Sequence, residues 1–157
     1  MSQTAESLLD VRHHPRAEDF VFDPSRAYTQ KERNSFKPHG FWVSVDDDWR
    51  RWCESDGMEE WIEHPEIHFS LETEPCLWLK TVEDLDRFTE EYAEPDGYYV
   101  DWRTVSMRYA GIIIAPYQWQ RRLSLTVNWY YPWDCASACV WDLSVIALQT
   151  IRAEATA

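Results

Sequence analysis

The stretch that most constrains the fold of this chain is KPHGFWVSVDDD at residues 37–48. Its proline and glycine favour a turn, and the aromatic and β-branched residues that follow favour a short strand at residues 41–45. Three consecutive aspartates then mark the start of a helix, which we place at residues 46–54. Trp49 and Trp52 are three residues apart, so they share the inner face of that helix. The stretch therefore predicts a turn, a strand and a helix in direct succession.

The rest of the chain alternates between short strands and short helices. Thr81 and Asp84 form a capping-box pair that opens one helix, and Asp101 caps a second. Hydrophobic alternation and short apolar runs predict further strands at residues 8–14, 67–73, 76–79, 111–115, 126–131 and 138–142. Residues 19–23 fit either an edge strand or an extended loop, and a last helix or turn begins near Ser144. Together these elements predict an α+β domain with six or more short strands and two or three helices.

Length and composition predict one domain with a stiff core. The chain has 157 residues and no repeat or linker, so we expect a single domain over residues 1–157, with frayed ends at residues 1–7 and 150–157. It carries 10 Trp, 8 Tyr and 6 Phe but only 4 Gly. Aromatic side chains bury large areas with few rotatable bonds, so most of these rings are expected in the core. The others are candidates for stacking surfaces in a pocket.

The net charge of −13, from 28 acidic and 15 basic residues, limits the partners of the chain. Phosphate contacts dominate nucleic-acid affinity, so a protein that coats DNA is not expected. A local basic patch remains open, at residues 50–51 or 121–122. An acidic surface that keeps the protein dissolved is one interpretation, and an acidic decoy that occupies a basic host protein is another.

The start of the chain lacks the basic and apolar regions of a signal peptide, and no apolar run approaches the length of a membrane span. We therefore expect a cytoplasmic protein without a membrane partner, in the host cytoplasm if a phage encodes it. Four cysteines are expected to stay reduced there, namely Cys53, Cys76, Cys135 and Cys139. Their spacing is not that of a zinc knuckle, and we predict no metal site. Neither a P-loop nor a GxGxxG motif is present.

Five short motifs occur in an order that resembles a known fold. They are VRHHP (residues 11–15), GFWVS (40–44), FSLETEPCL (69–77), RYAGII (108–113) and CVWDLSVI (139–146). This order resembles the ADP-ribosyltransferase fold, particularly its small phage and toxin-like members, over residues 8–146. The chain is also similar to uncharacterised phage proteins that carry the motifs KPxGxWxS and WYYxWDCASxCxW.

The resemblance implies a single α+β domain with a mixed or antiparallel split β-sheet, and NAD as a substrate. The expected activity is mono-ADP-ribosyl transfer to a protein or nucleic-acid acceptor, or hydrolysis of NAD. For cofactor binding, it implies that His13, or the adjacent His14, contacts the adenine-side ribose. Trp42 is expected to stack on the nicotinamide, with Ser44 as a polar contact beside it. Tyr117 is expected to lie in a loop that recognises the acceptor. Arg12 or Arg26 is expected at the pyrophosphate, because a guanidinium group binds phosphate in a bidentate manner.

The sequence departs from the family at the expected catalytic acid. The glutamate of the family falls near Ser137 when counted back from Asp142, and no carboxylate is there. Asp134 is the nearest acid, so we take Asp134 as the catalytic carboxylate and His13 as the second catalytic residue. Alternatives are a degenerate member of the fold that only binds its ligand, an acidic phage inhibitor of a host defence or DNA-binding protein, and a structural virion protein.

Overall fold

A computed structural model describes residues 7–149 of the chain, and two of its helices begin at their predicted caps. Helix α2 (Val82–Tyr92) follows Thr81, which exchanges hydrogen bonds with Asp84: the Thr81 hydroxyl accepts from the Asp84 N–H, and the Asp84 carboxylate accepts from the Thr81 N–H. Helix α3 (Trp102–Arg108) follows Asp101, which accepts from the N–H of Thr104. These bonds satisfy backbone donors that a helix leaves unpaired. The frayed ends predicted at residues 1–7 and 150–157 lie, except for Ser7, outside the described residues.

Helix α1 (Asp48–Ser55) begins two residues later than predicted. Asp46 has a φ of 54°, in the left-handed region that cannot continue a right-handed helix. This residue turns the chain between the preceding strand and the helix. The rings of Trp49 and Trp52 lie on one face as predicted and stack with centroids 5.0 Å apart.

Seven strands form one continuous mixed sheet. They are β1 (Leu8–His13), β2 (Phe41–Val45), β3 (Ile67–Glu72), β4 (Leu77–Leu79), β5 (Gly111–Ile114), β6 (Ser137–Val140) and β7 (Ile146–Leu148). Their order across the sheet is β4-β5-β6-β2-β1-β3-β7. The β4–β5 pair is parallel and the other neighbours are antiparallel. The α+β class, the mixed sheet and the helix number agree with the prediction.

The sheet is continuous rather than split in two, but its shortest ladder joins β1 to β2. Only Val11↔Val45 and Arg12↔Ser44 pair there, whereas β1 pairs with β3 at six positions. The β1–β2 pairing thus ends at Arg12, one residue before β1 itself ends.

In the C-terminal third, one predicted strand is absent and one observed strand was not predicted, whereas the helix or turn predicted near Ser144 is a 3-10 helix at Leu143–Val145. Residues 126–131 do not form a strand; a 3-10 helix covers Asn128–Tyr130 instead. Trp129 and Tyr130 are both fully buried, which the alternating faces of a half-exposed strand would not allow. Strand β7 was not predicted, because only Ile146 of its three residues is buried. Residues 19–23, for which a strand and a loop were both open, form a loop.

The core is aromatic on the side of α2 and α3. All four residues of β5 are buried, so this strand is covered on both faces. Phe88 of α2 packs against Trp102 at 5.6 Å and against Trp129 at 5.2 Å between ring centroids. Four tryptophans have 6% exposure or less, namely Trp102, Trp129, Trp133 and Trp141. Four of the ten tryptophans are therefore core residues, and the other six keep part of their surface exposed.

Gly40, at the entry to β2, is required for close packing against β6. A Cβ there would lie 2.5 Å from Cys139 Sγ and 2.8 Å from the carbonyl oxygen of Val140. Since the carbonyl belongs to the paired strand and cannot rotate away, Gly40→Ala is expected to lower the free energy of unfolding by about 1–3 kcal/mol. Urea unfolding of the two proteins measures this, and an unchanged midpoint would mean that the strands do not approach this closely.

Candidate functional site

A cleft of about 430 Å³ lies at the short junction between β1 and β2. This volume is within the usual range of small-molecule sites, about 300–1,000 Å³. Its walls come from four separate parts of the chain, and they consist of Arg12, His13, His14, Arg16, Lys37, Trp42, Val43, Ser44, Trp49, Trp61, Pro132, Trp133, Asp134, Cys135 and Ser137. The fold thus brings residues more than 100 positions apart into one concave surface.

Most of the residues selected from the sequence line this cleft: Arg12, His13, His14, Trp42, Ser44 and Asp134. Tyr117 does not line it. The Tyr117 side chain is buried, and its hydroxyl donates to the Trp133 carbonyl oxygen while accepting from Arg122 at 2.7 Å. Arg26, the alternative to Arg12, is also absent from the cleft walls and lies over the ring of Tyr28 at 4.7 Å. Tyr117 therefore supports the wall from behind.

His13 is held firmly at the end of β1. Its Nδ1 lies 2.8 Å from the Trp42 carbonyl oxygen, which can only accept, so Nδ1 carries the hydrogen and Nε2 keeps a lone pair. The ring stacks on Phe41 at 4.4 Å and contacts Phe20 at 4.7 Å. Burial lowers the pKa of His13, and the hydrogen bond to Trp42 opposes this only in part. His13 is thus a neutral group that bridges β1 to β2 where their ladder ends.

His14 is buried in the cleft wall without a hydrogen bond. The residue is 9% exposed, and neither ring nitrogen has a hydrogen-bond partner. The nearest charge is Glu66, with Oε2 3.8 Å from Nε2. Burial lowers the pKa of His14 to about 4, more than Glu66 raises it. A neutral imidazole with an unused donor and acceptor is suited to a ligand hydroxyl. Trp133 Nε1 is a second buried donor without a partner in the same wall.

Three cations line the cleft although the chain is strongly acidic. Arg12 lies 3.4 Å from Glu66, the Arg16 guanidinium lies 4.9 Å from the centre of the Trp61 ring, and the Lys37 ammonium lies 5.1 Å from that of the Trp42 ring. Desolvation lowers the pKa of Lys37, and Asp134 opposes this. Asp134 is the one carboxylate among the described residues of the wall. The described part of the cleft therefore favours an anionic ligand.

Asp134 and Ser44 both line the cleft, and each is held by a hydrogen bond to another element. Asp134 precedes β6 and accepts from Arg122 Nη2 at 3.1 Å. Ser137, where the family glutamate was expected, is the first residue of β6 and pairs with Ser44. The Ser44 hydroxyl donates to the Arg12 carbonyl oxygen at 3.4 Å. Asp134 and Ser137 both line the cleft, so the carboxylate stands three residues before the expected position but in the same wall.

Sequence reasoning missed several residues of the cleft. Lys37 lies inside the KPxGxWxS motif, and Trp133 and Cys135 lie inside WYYxWDCASxCxW. These motifs were signals that could have identified all three. Arg16 and Trp61 carry no comparable signal, because only the folded chain brings them together.

The burial of His14 predicts a pH-dependent stability. The pKa is about 4 in the folded chain and about 6.5 when unfolded, so below pH 6.5 the unfolded chain binds more protons. The contribution of neutral His14 to the free energy of unfolding is therefore fully present above pH 6.5 and is lost as the pH falls towards 4. Between pH 7.5 and pH 5, His14 alone is expected to cost about 2 kcal/mol. His14→Gln should lose less stability over this range in urea unfolding; an equal loss would place the titrating group elsewhere.

No group of three His, Cys, Asp or Glu residues that could hold a metal ion occurs between residues 7 and 149. Within the same part of the chain, no helix has the length and apolar character needed to cross a membrane. Comparison of the chain with protein-family models, with curated proteins and with solved structures gave no match.

Proposed function

We propose that the β1–β2 cleft binds NAD and that the chain is an ADP-ribosyltransferase-like protein, which transfers ADP-ribose to an acceptor or hydrolyses NAD. The observation that carries this proposal is the composition of the cleft: a half-buried indole, three cations, a neutral buried imidazole and one carboxylate line the same wall. A dinucleotide offers matching groups, which are a flat pyridinium ring, a pyrophosphate and ribose hydroxyls.

Each group has a role in this proposal. Trp42 stacks on the nicotinamide ring, since its indole is only partly buried and aromatic faces attract a cationic ring. Arg12 and Arg16 bind the pyrophosphate, because guanidinium groups donate two parallel hydrogen bonds to phosphate oxygens. His14 exchanges hydrogen bonds with a ribose hydroxyl after the wall of the cleft opens, because both ring nitrogens are buried and lack partners.

The reaction needs little covalent chemistry from the protein. The bond between ribose C1′ and the nicotinamide nitrogen breaks, and its electron pair leaves with nicotinamide. A nucleophile of the acceptor, or water, forms the new bond to C1′ and gives up a proton. Asp134 supplies negative charge beside the oxocarbenium-like transition state and accepts that proton. His13 holds the backbone of Trp42 in place through its hydrogen bond to the Trp42 carbonyl oxygen.

Binding of NAD without turnover is the second candidate. It is favoured by the contact between Asp134 and Arg122, at 3.1 Å, because the guanidinium group already occupies one oxygen of the carboxylate. In addition, residue 137, where the catalytic glutamate of the ADP-ribosyltransferase fold is expected, is a serine. The acidic-inhibitor interpretation stays a prediction, with a basic host protein as its partner.

Calorimetric titration with NAD, followed by incubation with isotopically labelled NAD, tests the proposal. We expect saturable binding that Trp42→Ala weakens by about tenfold, since loss of an aromatic partner costs about 1 kcal/mol or more. Trp119→Ala is the matched control, because Trp119 is 68% exposed and lies outside the cleft. Labelled acceptor or free ADP-ribose indicates catalysis, and binding alone indicates the second candidate. Absence of both would refute the proposal.

A further inference from the structure

A second concavity adjoins the cleft and differs from the rest of the acidic surface. It has a volume of about 610 Å³ and lies along the loop that precedes β2. Four basic side chains line it, namely Lys31, Arg33, Lys37 and His39, and no described carboxylate does. We call these four residues, with Phe36 and Tyr99, the basic groove.

The loop of the basic groove is held in shape by buried contacts. The Gln30 side chain is 8% exposed and closes the loop at its base, donating to the His39 carbonyl oxygen at 2.7 Å and accepting from the His39 N–H at 2.9 Å. Ser35 exchanges two backbone hydrogen bonds with Val100, at 2.9 and 3.1 Å. The Trp102 indole also donates to Ser35. The groove is therefore preorganised, which reduces the entropy cost of binding.

The cations of the basic groove are available to a ligand. Seven other arginines form ion pairs with carboxylates, namely Arg12, Arg50, Arg51, Arg87, Arg108, Arg121 and Arg122, whereas Arg16, Arg26 and Arg103 are scattered over the chain and form none with another described residue. Lys31 and Arg33 are exposed and take part in no ion pair with another described residue. Glu32 lies between them in the sequence but does not line the groove. In a chain of net charge −13, a concavity lined by cations and by no described carboxylate favours a polyanion as its ligand.

Aromatic rings stand beside these cations. Phe36 is 36% exposed and Tyr99 is 41% exposed, and their ring centroids are 5.0 Å apart. Cations that follow a phosphate backbone, combined with exposed rings on which bases stack, are the features of single-strand binding sites. A duplex keeps its bases stacked inside and cannot use the rings in this way.

The basic groove meets the cleft at Lys37, which lines both. The Lys37 ammonium lies over Trp42 at 5.1 Å, so a strand in the groove would end at the proposed nicotinamide site. We infer that the basic groove binds single-stranded nucleic acid and presents it to the cleft as the acceptor. The acceptor role rests on the proposed function, whereas binding of the strand does not.

Fluorescence anisotropy with a labelled 20-nucleotide oligo-dT, in the absence of NAD, tests the inference. If Lys31, Arg33 and Lys37 each contact one phosphate, a plot of log K for binding against log salt concentration should have a slope of about −2, because each contact with a single strand contributes about −0.7. The double variant Lys31→Gln/Arg33→Gln should reduce that slope to about −0.7 and weaken binding at low salt. The matched control Arg87→Gln/Arg103→Gln removes the same charge from α2 and α3 and should leave the slope unchanged. Tyr99→Ala should weaken binding by about tenfold.

The remaining outcomes separate this inference from the proposed function. Lack of saturable binding, equal effects of the two double variants, or equal affinity for duplex DNA would overturn it. Equal affinity for a polyglutamate peptide would also overturn it and would indicate an acidic protein segment. Lys31→Gln/Arg33→Gln should keep the wild-type NAD affinity in calorimetry, since neither residue lines the cleft. If oligo-dT binds and NAD does not, the acceptor role and the proposed function both fail, and only the binding surface stands.

Discussion

Asp134→Asn is expected to reduce turnover of NAD by a factor of 100 or more while NAD affinity stays within about threefold. The asparagine keeps the size of the side chain and its oxygen towards Arg122, but it removes the charge beside the transition state and the proton acceptor. Loss of one electrostatic contact of this kind costs about 10²–10³ in rate. Release of labelled nicotinamide measures turnover, and calorimetry measures affinity.

Asp47→Asn is the matched control for this change. Asp47 also pairs with an arginine, at 2.9 Å from Arg51 Nε, but it is 48% exposed and lies outside the cleft. Its turnover should equal that of the wild type. If both substitutions change turnover by a similar small amount, Asp134 has no role in the reaction, and the cleft would serve only to bind NAD.

Trp129→Ala is expected to lower the free energy of unfolding by about 3–5 kcal/mol, as for other large aromatic truncations in protein cores. Trp129 is fully buried, its Nε1 donates to Thr89 Oγ1 at 3.0 Å, and its ring contacts Phe88 and Trp102. The loss is a large part of the typical stability of a domain, about 5–15 kcal/mol. Urea unfolding at pH 7.5 measures it.

Trp119→Ala provides the comparison, since Trp119 is 68% exposed and its loss should change stability by no more than about 0.5 kcal/mol. Should Trp129→Ala fail to fold, Trp129→Phe keeps part of the packing and should show a smaller loss. Equal midpoints for the variants at residues 119 and 129 would contradict the assignment of Trp129 to the core.

Local signals in the sequence predicted much of the fold. The turn before β2 and the aromatic run that follows it predicted this strand with its observed bounds, Phe41–Val45. The capping box predicted the start of α2. Prediction failed where tertiary contacts decide. Trp129 and Tyr130 look like strand residues, but the Tyr130 hydroxyl accepts from the Gln118 N–H and the Trp129 indole reaches Thr89. No local pattern encodes those distant partners.

The candidate site was predictable where its residues lie in short motifs. The choices of His13, Trp42 and Asp134 depended on motif order, and the folded chain brings all three to one cleft. Tyr117 was selected from its position after β5, but its burial behind Trp133 depends on packing that a loop sequence does not reveal. The burial of His14 without a hydrogen bond was not predictable, because its nearest carboxylate, Glu66 at 3.8 Å, is 52 positions away along the chain.

A crystal structure of the wild-type chain with NAD tests the central claim most directly. We expect the nicotinamide ring against Trp42, the pyrophosphate at Arg12 or Arg16, and the nicotinamide ribose within hydrogen-bond reach of Asp134 or a water molecule bound to it. NAD bound outside the β1–β2 cleft, or a cleft closed by the indoles of Trp42 and Trp133 in crystals grown at saturating NAD, would contradict it.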